Sequence, residues 1–280
     1  MKLATWTRKG RTAFGTVAED GALRDLSRTV PDLRALIAAG DGIDASAGVA
    51  NGAITDAALT PPIADGAKII CVGVNYPERN AEYRDGSTAP AYPSLFVRFP
   101  GSFVGHGAPL VRPRESLQFD YEGEIVLVIG KPGRRIPEAR AHEHIFGLTL
   151  MNEGSVRDWL RHGKFNVTQG KNFDASGSLG PWIVTRDAAG DLNDLTLVTR
   201  VNGEERQRGN TGTLMFSFAR IIAYVSTFTT LEPGDLIATG TPPGAGGRFD
   251  PPKWLVPGDV VEVECPGIGL LSNPVSGDAG

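Results

Sequence analysis

Phe119-Asp120-Tyr121-Glu122-Gly123-Glu124-Ile125-Val126-Leu127-Val128-Ile129-Gly130 is an acidic lead-in that runs without a break into five apolar residues. A continuous apolar run bounded by glycines reads as a strand buried on both faces. Residues two apart on a strand share a face, which sets Glu122 beside Glu124 with roughly 7 Å between their Cα atoms. Two adjacent carboxylates entering a core repel each other and lose hydration. Either one is protonated or a cation sits between them. Gly123 leaves the opposite face open at that point. The chain carries its own control in DVVEVEC, where Glu262 and Glu264 have the same spacing but alternate with Val261 and Val263. That is an ordinary strand with polar residues out and apolar residues in. A third carboxylate, Glu153, ends the next apolar run, LTLMNEGSVRD. Glu122, Glu124 and Glu153 together would form an all-oxygen set, suited to Mg²⁺ or Mn²⁺ rather than zinc.

Outward from this stretch, short apolar or alternating runs recur: KLATW, TAFGTVA, KIICVGV, PSLFVRF, IFGLTLM, PWIVT, LTLVTRVNGE, DLIATG and DVVEVEC. They are punctuated by Gly, Pro and Asp, as strands are. Asn202-Gly203 predicts a hairpin turn. Four helices are predicted among them: PDLRALIAA, PEARAHEH, SVRDWLRH with Ser155 as N-cap and Asp158 three residues on, and TLMFSFARIIAYVSTF. The expected class is α+β and strand-dominated. Residues 42–64 are small, polar and Gly/Pro-bearing, the composition of a linker or peripheral wrap. The expected division is therefore a small N-terminal domain with linker, 1–64, and a catalytic domain, 65–280.

Of 280 residues, 36 are Gly and 20 are Pro with no collagen-like period, which favours many short strands. A hydrophobic content of 41% supplies a core and argues against disorder. The net charge of −4 removes the main electrostatic reason to bind nucleic acid or an anionic membrane. No apolar run reaches the roughly 18 residues of a membrane span, and MKLATWTRKG is too charged for a signal peptide. Cys71 and Cys265 both lie in strand-like runs, so no disulfide framework is expected. A cytoplasmic protein is the expectation. Gly170-Lys171 lacks phosphate-loop spacing, His142-Glu143-His144 places its histidines on different helix directions, and no nucleophile elbow for a serine hydrolase is present.

In order along the chain stand CVGVNY (71–76), DYEGEIVLVIGK (120–131), NEGSVRD (152–158), GKNFDASGSLGPWIVT (170–185), VNGEERQ (201–207) and LEPGDLIATGTPPGAG (231–246). With these six motifs the sequence resembles the fumarylacetoacetate hydrolase family from residue 68 to the C-terminus. The resemblance implies a mixed β-roll or sandwich catalytic fold, one Mg²⁺ or Mn²⁺ per subunit held by Glu122, Glu124 and Glu153, and a homodimer. The third ligand is usually an Asp; Glu153 keeps its charge on a longer arm. Lys171 and Thr241 match positions that face substrate in relatives. The family's lid pattern, Asn-Tyr-x-x-His-x-x-Glu, here reads Asn75-Tyr76-Pro77-Glu78-Arg79-Asn80-Ala81-Glu82. Arg79 replaces the His of the water-activating pair, and a guanidinium is not a general base. A Gln common in relatives is Leu160 here.

The resemblance implies a small 2-oxo acid substrate, chelated through its carboxylate and keto oxygen. The leading expectation is a metal-dependent hydrolase acting on C–C bonds in ketonic substances. It would cut a 2,4-dioxo, acylpyruvate-like acid into pyruvate and a carboxylic acid through a metal-bound enolate. Glu82 (or a metal-bound hydroxide) would be the base, and Lys171 would stabilise the developing charge. Tyr76, Arg79, Lys171 and Thr241 would bind substrate. The alternative is an isomerase, decarboxylase or hydratase on an unsaturated 2-oxo dicarboxylate of aromatic catabolism, for which Arg79 suits a distal carboxylate. A member that binds a 2-oxo acid without turning it over is the non-enzymatic reading. The loops expected to select substrate, 84–93 and 161–169, carry no decodable motif, although His162, Asn166 and Gln169 could reach the site from the second.

Overall fold

The computed structural model describes residues 1–40, 44, 47–63, 66–82, 90–163 and 166–278. Five short strands open the chain: β1 (Lys2–Arg8), β2 (Arg11–Val17), β3 (Ala22–Asp25), β4 (Val49–Ala53) and β5 (Ala58–Thr60). Next come β6 (Ile69–Val72), β7 (Leu95–Val97), β8 (Phe103–Val104), β9 (Leu110–Arg112) and β10 (Phe119–Asp120). The middle of the chain gives β11 (Gly123–Ile129), β12 (Ile145–Asn152), β13 (Ser155–Val156), β14 (Gly177–Thr185), β15 (Thr196–Val201) and β16 (Glu204–Asn210). The last three are β17 (Leu236–Ala238), β18 (Val260–Cys265) and β19 (Gly269–Gly277). Helices are few: α1 (Leu33–Ala38), α2 (Pro77–Ala81), α3 (Thr168–Lys171) and α4 (Phe218–Phe228). None is long and apolar enough to cross a membrane.

The large mixed sheet runs β4-β3-β2-β1-β14-β12-β11-β17-β6-β7, with β5 also on β1 and β8 on β14. A second sheet, β16-β15-β18-β19-β9, packs over it. The unbroken apolar character of β11 follows from this layering. Its odd residues, Ile125, Leu127 and Ile129, join Leu197, Val263 and Leu271 of the second sheet and Ile221 and Val225 of α4 in one core. Its even residues, Val126 and Val128, face Leu3, Phe14 and Ile37 in another. A strand with a core on each side has no polar face to alternate with.

β1 pairs with β14 through Lys2↔Val184 and Leu3↔Ile183. Residues on either side of position 64 thus share one sheet and one core. The 42–64 stretch, in its described part, contributes β4 and β5 rather than a bare linker. Gly123 does not face open space: a Cβ there would stand 2.1 Å from Thr199 Oγ1, so the glycine lets the second sheet close against β11. Asn202-Gly203 makes the predicted hairpin between β15 and β16, with φ of 53° and 78°. Cys71 and Cys265 are free and buried.

Three of the four predicted helices need correction. The 137–144 stretch forms a 3-10 helix, Glu138–His144. The 155–162 stretch is the strand stub β13 followed by a single 3-10 turn, Trp159–Arg161, which Asp158 caps. Ser155 does not cap a helix because its hydroxyl is engaged with Glu122. α4 begins at Phe218, five residues later than predicted, because Ser217 Oγ accepts from Arg220 N and Asn75 holds Phe216 on both its N–H and its carbonyl. PDLRALIAA does form α1, capped by Asp32.

Candidate functional site

Glu122 lies at the mouth of β11, between β10 and β11, and its two carboxylate oxygens collect three cations. Oε2 accepts from Lys171 Nζ and from Ser155 Oγ at 2.8 Å. Oε1 accepts from Arg79 Nη2 at 2.9 Å. Arg157 Nη2 also stands 2.9 Å from Oε1, an ion pair without hydrogen-bond alignment. Lys171 bridges onward to Glu153 Oε2 at 2.8 Å. Burial pushes Glu122 up, but Arg157, Lys171 and Arg79 outweigh it and hold the carboxyl well below its ordinary range. Burial lowers Lys171, yet Glu122 and Glu153 raise it more, so the ammonium is retained.

Glu124 has the opposite fate. Burial, then Glu153 and Glu122, hold its carboxyl well above the ordinary value of 4.5. Its one hydrogen-bonded oxygen accepts from Gly240 N at 2.8 Å. Gly240 has φ of 102°, and a Cβ there would meet Asn75 Cβ at 2.7 Å, so this donor requires glycine. Because the folded form holds the Glu124 proton more tightly than the unfolded chain, that contribution is complete below 4.5 and is lost as pH rises toward the folded value. In chelator-treated protein, Glu124→Gln is therefore expected to gain melting temperature relative to the parent as pH rises from about 4 to about 8. Thermal scans across that interval check it; a constant difference would mean that Glu124 titrates normally.

The lid residues meet the acidic cluster directly. Arg79 is fully buried on α2 and donates to Glu82 Oε2 at 2.5 Å as well as to Glu122. Glu82 Oε1 accepts from Gly244 N at 2.8 Å, tying the lid to the Gly-rich 240–247 loop. Glu82 is the most open of the site carboxylates, with a side chain 19% exposed against 4% for Glu122 and 2% for Glu153. Tyr76 is buried close to Glu124; burial and that carboxylate push its phenol up. Thr241 has its hydroxyl engaged on both sides, donating to Gly123 O and accepting from Gln207 Nε2, each at 2.8 Å. It braces β11 against the second sheet.

Glu122, Glu124, Glu153, Lys171, Arg79, Glu82 and Tyr76 are thus brought together, and Thr241 borders them. Most of the 84–93 loop and part of 161–169 lie outside the described residues. The His162 ring lies 4.5 Å from that of Trp159, tilted by 48°, and Asn166 accepts from Thr168 N. Three members were not singled out from sequence. Arg157 and Ser155 sit on Glu122, and the buried Asp120 accepts from Arg157 Nε, Gly246 N and Gly247 N at 2.7, 2.7 and 3.0 Å. The signal for them was Arg-Asp following a strand end beside a conspicuous Asp-Tyr-Glu lead-in.

As they stand, no three His, Cys, Asp or Glu side chains among the described residues converge on one point as a finished metal cage. Lys171 provides the positive charge between Glu122 and Glu153. The donor set nevertheless suits a hard divalent cation: every candidate ligand is a carboxylate, and Glu153 Oε1 is buried without a donor. The ammonium of Lys171 and the guanidinium groups of Arg79 and Arg157, set among these carboxylates, can bind an oxyanion and stabilise negative charge that develops on it.

The family model for the fumarylacetoacetate (FAA) hydrolase C-terminal region matches residues 68–276. The chain belongs to the fumarylacetoacetate hydrolase family. It is 42% identical over 219 residues to oxaloacetate tautomerase fahd2, mitochondrial, of Xenopus laevis, covering 78% of this chain and 68% of that one. It is 36% identical to oxaloacetate tautomerase YisK of Bacillus subtilis, covering 98% of this chain and all of the relative. Among solved structures, the fumarylacetoacetate hydrolase of Exiguobacterium antarcticum superposes with a TM-score of 0.88 at 35% identity, covering 99% of this chain and all of the other. The strand-dominated fold and the family expected from sequence are both shown, and the chain is an enzyme of that superfamily.

Proposed function

We propose that this protein is a keto–enol tautomerase or double-bond isomerase of a 2-oxo acid that carries a second carboxylate. The observation that carries this reading is Arg79. In place of the lid His stands a permanent cation bonded to Glu82 and Glu122, so the partner needed to activate water for C–C hydrolysis is replaced by a carboxylate-binding group. Tautomerisation needs no water. It moves one proton between the carbon beside the keto group and the keto oxygen, and it needs a base and a stabilised oxyanion. Glu82, the most open acid of the cluster, serves as that base. Lys171 and Arg157 supply positive charge where the oxygen becomes negative, and Arg79 receives the distal carboxylate. Glu122, Glu124 and Glu153 would hold the Mg²⁺ or Mn²⁺ ion, which when bound supplies a Lewis acid for the 2-oxo carboxylate. The two tautomerase relatives, named for a 2-oxo dicarboxylate, support the same substrate class.

The test offers the purified protein enol-oxaloacetate and an acylpyruvate, each with Mg²⁺ or Mn²⁺, and follows ultraviolet absorbance and pyruvate. Accelerated loss of the enol with no pyruvate from the acylpyruvate is expected. Pyruvate release from the acylpyruvate without any effect on the enol would return the protein to the hydrolase reading.

A further inference from the structure

Beneath the acidic cluster lies a cation that the site chemistry described above does not use. Arg98 follows β7, the edge strand of the large sheet, and its side chain turns inward while Val97 and Phe99 on either side are half exposed. Its guanidinium is fully buried and links its own following turn, through Ser102, to the turn that carries Glu153. Nη1 donates to Gly154 O at 3.1 Å, Nη2 to Ser176 Oγ at 3.2 Å, and Nε to Ser102 Oγ at 3.2 Å. The plane also lies over the Phe103 ring at 4.4 Å. Only glycine fits at 154, since a Cβ there would stand 1.7 Å from Ser176 O, so the turn lies against the Ser176 backbone. The turn between β12 and β13 is therefore clamped from below at the residue after Glu153. Two residues earlier on the same face, the Phe96 ring lies under Lys171 Nζ at 5.1 Å. The inward face of one edge strand thus underlies both partners of the Lys171–Glu153 bridge.

We infer that Arg98 is a positioning residue: it fixes the Glu153 turn through Gly154 and Ser176 and keeps a counter-charge under the Glu153 carboxylate. A buried Arg has a high desolvation cost unless its donors have partners; this one is held on one side by Ser102, through its hydroxyl and carbonyl, and on the other by Gly154 O and Ser176 Oγ at the Glu153 turn. The inference rests on the reading of Glu153 as a site residue, so its test includes a measurement that does not depend on turnover.

Arg98→Lys and Arg98→Met are compared with the parent by crystal structure, by Mn²⁺ binding in electron paramagnetic resonance, and by kcat and KM for enol-oxaloacetate. In Arg98→Met the Glu153 carboxylate is expected to leave Lys171. Mn²⁺ affinity and kcat are each expected to fall about 10–100-fold, the range for losing an outer support of a site, with KM within about threefold. Arg98→Lys, which keeps the charge and can still reach Gly154 O, is expected to recover most of the loss. If Arg98→Met does not fold, Ser176→Ala and Ser102→Ala remove the anchors singly and are expected to move kcat in the same direction by less. A parent without tautomerase activity overturns the functional reading alone, because the crystal structures still report Glu153. Glu153 unmoved against Lys171 in Arg98→Met, or loss that Lys does not relieve, overturns the role given to Arg98.

Discussion

Glu122→Ala is expected to abolish turnover and to destabilise the protein by about 3–5 kcal/mol, the usual cost of removing one partner from a buried ionic cluster. The size follows from what the carboxylate holds. Lys171, Arg79 and Arg157 all contact it, and Ser155 donates to it. Its loss leaves three cations facing one another in a region that water hardly reaches, with a carboxylate left to each: Glu153 for Lys171, Glu82 for Arg79 and Asp120 for Arg157. Urea unfolding gives the stability change and enol decay gives the activity. Lys171→Met in the Glu122→Ala background is expected to recover part of the stability and none of the activity, because it relieves repulsion with Arg79 and Arg157 but removes a needed ammonium. Near-parental stability in Glu122→Ala would show that the three cations do not depend on this carboxylate.

Arg79→His is expected to reverse the selectivity of the site. The substitution rebuilds the His–Glu pairing with Glu82 and removes the guanidinium proposed to receive a second carboxylate. kcat/KM for enol-oxaloacetate should fall about 10–100-fold, the worth of a charge-assisted pair, mostly through KM. Acylpyruvate cleavage, which the parent is expected to lack, should become measurable as pyruvate release. Arg79→Ala should show the first change without the second. If Arg79→His loses nothing on the dicarboxylate, Arg79 does not read the distal group.

The strands were legible in the sequence because apolar runs such as KIICVGV and GEIVLVIG are of strand length, rich in β-branched residues and punctuated by glycine. Glu122 and Glu124 stood out for the same reason, as charges leading into a run with no polar face. The ion-pair cluster was only half legible. Its partners are separated by 43 residues between Arg79 and Glu122 and by 49 between Lys171 and Glu122, and no local pattern encodes such a meeting. The SVRDWLRH stretch shows how local rules mislead at a site. Ser155 and Asp158 satisfy a helix-start pattern, but Ser155 bonds Glu122 and Arg157 bonds Asp120, so the backbone stays extended through Val156 and only then turns. Thr241 is the converse: it matches a family position, and its hydroxyl is occupied by Gly123 and Gln207.

The pairing of β1 with β14 has a consequence for how the polypeptide acquires its shape. Leu3 lies opposite Ile183, and the terminal amine donates to Thr185 Oγ1, 184 positions away. During synthesis β1 can pair with β2 at once, but at roughly 5–20 residues per second its other edge must wait until β14 has been made. Such late, long-range closure raises contact order and slows maturation. Refolding is therefore expected to be slow, with an amino-terminal hairpin that remains open to self-association until the middle of the chain arrives to cover its edge.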